Sequence, residues 1–368
     1  MNNQVPLLDL QTQYNEVRED IRVAIDDVFA SQQFIMGEPV RSFEQAVADY
    51  SDCRYGIGLA SGTDALTLSL RALDIGPGDE VIVPAFTFYA TVESVLHVGA
   101  IPIFADIRPD TYCMDVGQAG ALVGPRTKAI LPVHLFGHPA DMTEITELAR
   151  HRGLKVIEDN AQAFGARHAG QVTGSIGDAG CLSFFPSKNL GGCGDGGMVV
   201  TGSDETASRL KMLRMHGWKK KNFPEIVGYN SRLDTLQAAI LSAKLPKVDQ
   251  WNEQRRDCAK RYNGALKDAD LVLPCEGEGA YHVYNLYVIR VGKRELVQQK
   301  LNESGIGNAV YYPAAMHELA PCSGFVRKGQ RFPEAERAAR EALAIPMFPG
   351  MTEAQQERVV NTLLASLN

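Results

Sequence analysis

Apolar positions along this chain fall into two alternating periods. Short runs that are apolar nearly throughout recur at Tyr55–Leu59, Glu80–Pro84, Ile101–Ala105, Lys128–Val133, Leu154–Glu158, Ala179–Phe185 and Met198–Thr201. Helical spacing separates them. It places Val17, Ile21, Ala24, Ile25 and Val28 on one face of a helix within residues 8–30, and Phe43, Ala46 and Val47 on one face of Val40–Tyr50. Further helices are predicted from Gly62 through Leu73, after Phe88 toward Gly99, over Asp141–His151 and over Asp204–Met215. Strands that are apolar on both faces, alternating with helices, predict a mostly parallel sheet covered on both sides. Ligands of such sheets sit beyond the carboxyl ends of the strands. Phe88, His134, Asp159 and Gln162 fall at or just past such ends.

Downstream the pattern changes. An apolar helix over Leu236–Leu245 is interrupted by Pro246, and a polar helix continues from Asp249 toward Leu266. This predicts a large domain over 1–246 and a smaller α+β domain over 247–368. The smaller domain should hold one strand (Val283–Val291), a helix near Glu295–Ser304, the segment Val310–Pro313, and closing helices near 334–344 and 352–366.

Composition narrows the function classes. The 368 residues carry 45% hydrophobic and 22% charged residues and a formal net charge of -7, which gives no general attraction to nucleic acid or anionic membrane. No apolar stretch approaches the ~20 residues that span a bilayer, and the start of the chain lacks a signal-peptide pattern. Seven scattered cysteines form no close pairs, which predicts reduced thiols in a cytoplasmic protein and no metal site.

The chemistry-bearing residues concentrate in two stretches. Glu158-Asp-Asn-Ala-Gln162 ends one apolar strand. Ser183-Phe-Phe-Pro-Ser-Lys188 ends another and runs into five glycines within 191–197. A lysine there is expected to be desolvated, with the lowered pKa that imine chemistry needs. An acid from one strand end and a hydroxyl and a lysine from another are what pyridoxal phosphate requires. Asp159 would face the ring nitrogen, Gln162 the phenolic oxygen and Ser183 the phosphate, with Phe88 stacked on the ring. Taken singly, each has a plainer reading: Asp159 as a turn cap, Phe88 as core, Gly62 and Thr63 as an ordinary helix start rather than a phosphate site. Competing motifs fail. Gly56-Ile-Gly58-Leu-Ala-Ser-Gly62 is one residue too long for a dinucleotide fingerprint, and no Gly-Lys-Ser/Thr loop occurs. His134 and His138 flank Gly137 beside Pro139, a poor helix for metal ligation.

Together with Ser61-Gly-Thr-Asp-Ala-Leu66, Gly76-Pro-Gly-Asp-Glu-Val-Ile82, Pro132-Val-His-Leu135 and Asn230-Ser-Arg-Leu-Asp234, these motifs resemble the DegT/DnrJ/EryC1/StrS family over Leu8 to about Pro349. The resemblance implies the aspartate-aminotransferase fold type I and a homodimer with shared active sites. It also implies PLP-dependent amino transfer from L-glutamate to a UDP- or dTDP-linked keto sugar, closer to members acting at C3 than at C4. By position it gives Lys188 as the imine-forming lysine and proton shuttle and Asp159 as partner of the ring nitrogen. Gln162, Phe88, Gly62, Thr63 and Ser183 become further cofactor contacts, and Asn230 reaches the phosphate of the neighbouring subunit. Asn160 and Tyr311-Tyr312-Pro313 depart from the usual alanine and His-Tyr-Pro. Candidates for the sugar nucleotide are His134, Lys219, Lys220, Lys221, Arg232, Tyr311 and His317. A sugar dehydratase of the same fold would carry histidine at position 188, and a non-catalytic regulator would not need Lys188, Asp159 and Gln162 together.

Overall fold

The computed structural model describes residues 4–327 and 329–367. Its central sheet has seven strands: β1 (Tyr55–Leu59), β2 (Glu80–Pro84), β3 (Ile101–Ala105), β4 (Thr127–Ile130), β5 (Lys155–Asp159), β6 (Ala179–Ser183) and β7 (Gly197–Thr201). The order across the sheet is β1-β7-β6-β5-β4-β2-β3. Neighbours from β6 through β3 run parallel, while β7 runs antiparallel to both β6 and β1. The expected mixed, mostly parallel sheet is therefore present.

Burial explains why these runs read as unbroken apolar segments. Ile57, Leu59, Val81, Val83, Ala129 and Ile157 are fully buried under the covering helices, each large aliphatic side chain contributing roughly 1.5–3 kcal/mol of transfer free energy. The helices that matter for the site are α1 (Leu10–Ser31), α2 (Glu38–Tyr50), α3 (Gly62–Ala72) and α4 (Tyr89–His97). Ser61 caps α3 by accepting from the Asp64 N–H at 3.1 Å. α4 begins directly after Phe88 and so starts at the carboxyl end of β2.

Two sequence expectations are corrected. Helix continuation through 344 does not occur: the helix stops at Glu341, and Ala342–Ile345 forms β9, paired antiparallel with β8 (Tyr287–Arg290). All four β9 residues are fully buried, so tertiary pairing overrides the helix preference of alanine and leucine. The strand expected over Val283–Val291 is also shorter at its start. Tyr284 sits at φ 42, and the backbone there bends to carry Asn285 and Leu286 toward a cavity.

Apolar clusters cross residue 246. The cluster beneath the sheet includes Val288, Phe332, Ala342 and Ala344. A second cluster joins Val5 to Tyr262, Ile289, Leu343 and Val359. Val5 lies in register between Gly305 and Gly307, with the Gly307 N–H donating to its carbonyl at 2.7 Å.

Candidate active site

A cavity of about 480 Å³ opens at the carboxyl ends of β5 and β6 and at the first turn of α3. Asp159, the last residue of β5, is buried. Thr91, in the first turn of α4, donates to its Oδ2 at 2.8 Å, and the Ala161 N–H donates to Oδ1 at 3.2 Å. Burial pushes its carboxyl pKa up, opposed by these donors and by Lys188. Lys188 lines the cavity and is half-buried. Desolvation lowers its pKa to about 8, against a raising influence from Asp159. A substantial neutral fraction at physiological pH follows.

Glycine packing fixes how that lysine is presented. A side chain at Gly191 would collide with the Pro186 carbonyl oxygen, and one at Gly197 with that of Ser61. Only glycine lets the chain fold back this tightly around Lys188. Gly62 is required for a similar reason: a Cβ there would lie 2.7 Å from Ser183 Cβ. The start of α3 thus sits against Ser183, with the N-terminal amides beside the cavity, an anion-binding geometry.

Of the residues singled out from sequence, Gly62, Thr63, Phe88, Asp159, Gln162, Ser183, Lys188 and Tyr311 all line this one cavity. Gln162 is clamped, its Oε1 accepting from the Phe136 N–H and its Nε2 donating to Tyr312 Oη, both at 2.8 Å. Phe88 is 53% exposed, an unusual value for a core aromatic and a natural one for a cavity wall.

The remaining candidates lie elsewhere. His134 is fully buried, its Nε2 3.0 Å from Glu158 and its Nδ1 accepting from the Ala140 N–H at 2.9 Å, so its expected contact with substrate is corrected. His317 turns away toward Glu336 (3.4 Å) and packs on Phe332 (4.5 Å between ring centroids), which corrects its expected place in the sugar pocket. Lys219, Lys220 and Lys221 stand on an exposed hairpin, Lys219 3.3 Å from Glu225. Asn230 is exposed, Arg232 half-buried, and neither lines the cavity of its own chain.

Sequence reading missed Thr91 and Tyr312. Thr91 follows Thr87 by one helical turn, and the two hydroxyls meet at 2.9 Å; that spacing beyond Phe88 was the available signal. Tyr312 stands next to Tyr311, and its ring lies 5.9 Å from those of both Phe86 and Phe88. Leu7 and Leu8 also line the cavity, held there by the Met347 N–H donating to the Leu7 carbonyl at 3.2 Å. Nothing local in the sequence marks that contact.

These residues fit pyridoxal phosphate. The buried Asp159 carboxylate lacks a full set of partners and suits a protonated ring nitrogen. The Gly62–Ser183 approach forms a cradle that a Cβ would fill, at amides suited to a phosphate.

Comparison with known proteins agrees. A "Pleiotropic regulatory protein" of Geobacillus stearothermophilus is 48% identical over 98% of this chain and 97% of its own. The UDP-N-acetyl-3-dehydro-alpha-D-glucosamine 3-aminotransferase of Acidithiobacillus ferrooxidans is 46% identical over 100% and 99%. The crystal structure of S. venezuelae DesV, in complex with a ketimine intermediate, superposes with a TM-score of 0.96 at 39% identity, covering 98% of each chain. The model of the DegT/DnrJ/EryC1/StrS aminotransferase family matches residues 15–364. Aminotransferases of that family use pyridoxal phosphate. On this match, which spans the central sheet and every cavity residue beyond Leu8, the protein is an aminotransferase that belongs to the DegT/DnrJ/EryC1/StrS family.

Proposed function

We propose that this aminotransferase moves the amino group of L-glutamate to a keto group, favoured at C3, of a UDP- or dTDP-linked keto-hexose, making amino sugars for a surface polysaccharide or secondary metabolite. The observation that carries the reading is the convergence of a pKa-lowered lysine, a buried carboxylate and a helix N-terminus on one cavity. The Acidithiobacillus ferrooxidans relative, named for a UDP-linked 3-dehydro sugar, supports both the nucleotide and the position. The seven free cysteines suit a reducing cytoplasm.

Bound pyridoxal phosphate supplies the electron sink for the α-carbon of the donor. Around it, Asp159 would hold the proton on the ring nitrogen and Gln162 would donate to the phenolic oxygen. Phe88 would pack on the ring, and the Gly62 and Thr63 amides with Ser183 Oγ would hold the phosphate. Lys188 Nζ, with a pKa lowered to about 8, would be the group that accepts and returns a proton at the donor's α-carbon. Apolar walls from Leu7, Leu8, Leu286 and Met347 keep water from competing for that proton.

Among the described residues lining the cavity, Lys188 is the one cation, so the sugar diphosphate needs charge from elsewhere. A second copy of the chain supplies it in this reading. Asn230, Arg232 and the Lys219–Lys221 hairpin stand outside their own cavity, and the same hairpin region exposes Phe223 (62%) and Val227 (80%), apolar surface that a dimer would cover. Mixing inactive Lys188→Ala and Asn230→Ala proteins should then regenerate activity through hybrid dimers; no recovery would reject the shared site.

The test of the main reading is spectroscopic. The purified protein should absorb in the visible through its bound cofactor, the Lys188→Ala variant should lose that band, and L-glutamate should bleach it in the wild type. A panel of 3-keto and 4-keto UDP- and dTDP-hexoses then shows which one restores the band. Restoration by 4-keto sugars alone would overturn the assignment to C3.

A further inference from the structure

The described residues include three arginines with less than a tenth of their surface exposed: Arg214, Arg255 and Arg290. Two have carboxylates. Arg214 pairs with Glu44, and Arg290 lies 3.3 Å from Glu341 and 3.8 Å from Glu334. Arg255, on the helix Val248–Leu266 and 1% exposed, makes no ion pair with any described residue. Its Nη1 donates to the carbonyls of Tyr284 (3.3 Å), Asn285 (3.3 Å) and Met347 (3.2 Å), while Nε and Nη2 are buried without a protein acceptor. Burial lowers its pKa to about 10, so it remains a cation at neutral pH.

A buried charge without a counter-ion is costly, and such charges are ordinarily paired or hydrogen-bonded to completion. The position of this one is informative. Asn285 and Met347, whose carbonyls it holds, both line the active-site cavity, and Asn285 Nδ2 reaches the Ser187 carbonyl (3.4 Å), one residue before Lys188. The guanidinium therefore stands directly behind the cavity wall formed by these two segments. Three carbonyl dipoles temper its charge without cancelling it. Because the cavity contains two acidic residues, Asp159 and Asp195, and one lysine, positive potential from behind the wall favours an anionic substrate beside any charge that a second copy brings.

Building on the aminotransferase reading, we propose that Arg255 is a positioning residue for amino transfer: it pins the Asn285–Met347 wall through three carbonyls and gives that wall the positive potential that receives an anionic group of a substrate. The group is either a carboxylate of the amino donor or the diphosphate of the sugar nucleotide, and glutarate and UDP serve as probes for the two.

Full-length wild-type, R255K and R255Q proteins would be titrated calorimetrically with each probe, with thermal midpoints measured alongside. R255Q keeps an amide donor for the carbonyls and loses the charge; R255K keeps the charge and loses the fork. A charge acting through roughly one layer of protein changes affinity by about tenfold. R255Q should therefore weaken glutarate or UDP by about that factor, while R255K holds within about threefold of wild type even though its midpoint also falls. The probe that weakens names the anion. Equal weakening in both variants, or wild-type affinity for both probes in R255Q, would overturn the proposal. Should R255Q not fold, R255K decides alone: retention supports the charge role and a tenfold loss rejects it. The cofactor band and its loss in Lys188→Ala report on the aminotransferase reading separately, so the two can fail independently.

Discussion

Glu158 and Asp159 are consecutive on β5, point to opposite faces of the sheet, and have opposite fates. Glu158 is fully buried and accepts from four donors: His134 Nε2 at 3.0 Å and the N–H groups of Gly174 (2.7 Å), Ile176 (2.8 Å) and Gly177 (2.6 Å). Asp159 accepts from two donors, Thr91 and Ala161, and its remaining capacity faces the cavity. A carboxylate saturated by backbone amides ties a loop to a strand. One left short of partners, with its pKa pushed up by burial, is open to a cation from outside the chain. Number and kind of partners, rather than burial, separate the saturated acid from the one proposed to hold the cofactor.

The sharpest way to break that contrast is to neutralise each acid in turn. Asp159→Asn should cut amino transfer from L-glutamate by about 10³-fold, since the ring nitrogen loses the charge that keeps it protonated. The folded apo protein should be no less stable. The raised pKa means that the stability contribution of Asp159 is present below its unfolded pKa and lost as pH rises through the folded value. At neutral pH the charge is therefore a cost that asparagine removes. Glu158→Gln should behave oppositely. An amide NH₂ would replace one oxygen and face the two donors that it now accepts from, His134 and Gly174 or Ile176 and Gly177, costing about 3 kcal/mol of stability, while turnover per folded molecule stays within about threefold. Denaturant melts and single-turnover absorbance measure the two quantities. A Glu158 variant that is stable and inactive would collapse the distinction.

A smaller effect tests the other charge in the cavity. Lys188 has its pKa lowered to about 8 by burial, so its neutral form is favoured in the folded state. That contribution to stability is fully present above the unfolded lysine pKa and fades as pH falls through about 8. The same neutral fraction governs reaction with an aldehyde. The rate at which apo protein takes up pyridoxal phosphate should climb about tenfold from pH 7 to pH 9 and then level off. A rate still rising steeply at pH 10 would mean an ordinary lysine.

Much of this site was legible in the sequence because its parts lie at strand ends, where a period change marks the position. Asp159 directly follows one apolar run and Ser183 closes another, Gln162 and Lys188 stand within five residues of them, and the glycines after Lys188 announce a close backbone approach. What could not be read depended on contacts between distant segments. His134 follows an apolar run just as Asp159 does, yet Glu158 and the Ala140 amide consume both its ring nitrogens. Ala342–Ile345 has helical composition and becomes a strand because Tyr287–Arg290 lies beside it. Leu7 reaches the cavity only because Met347 holds its carbonyl. That Arg255 has no counter-ion among the described residues is likewise a property of packing, since an arginine on a polar helix reads as solvated.

Tyr312 gives the smallest and most selective test of how partner number sets function. Its hydroxyl is the acceptor for Gln162 Nε2, while its ring is held independently by Phe86, Phe88 and Phe136 at 5.9–6.4 Å. Burial pushes the phenol pKa up, so the group remains a neutral acceptor throughout the working range. Tyr312→Phe keeps the ring packing and removes one hydrogen bond, a net loss of about 1 kcal/mol. Gln162 retains its bond from the Phe136 amide but gains freedom about its terminal torsion, so its donor no longer arrives preoriented. Turnover should fall about fivefold with the thermal midpoint nearly unchanged. If turnover is untouched, Gln162 is positioned by Phe136 alone. If it falls as far as in Asp159→Asn, the hydroxyl itself takes part in proton transfer, and the cavity holds a second functional acid.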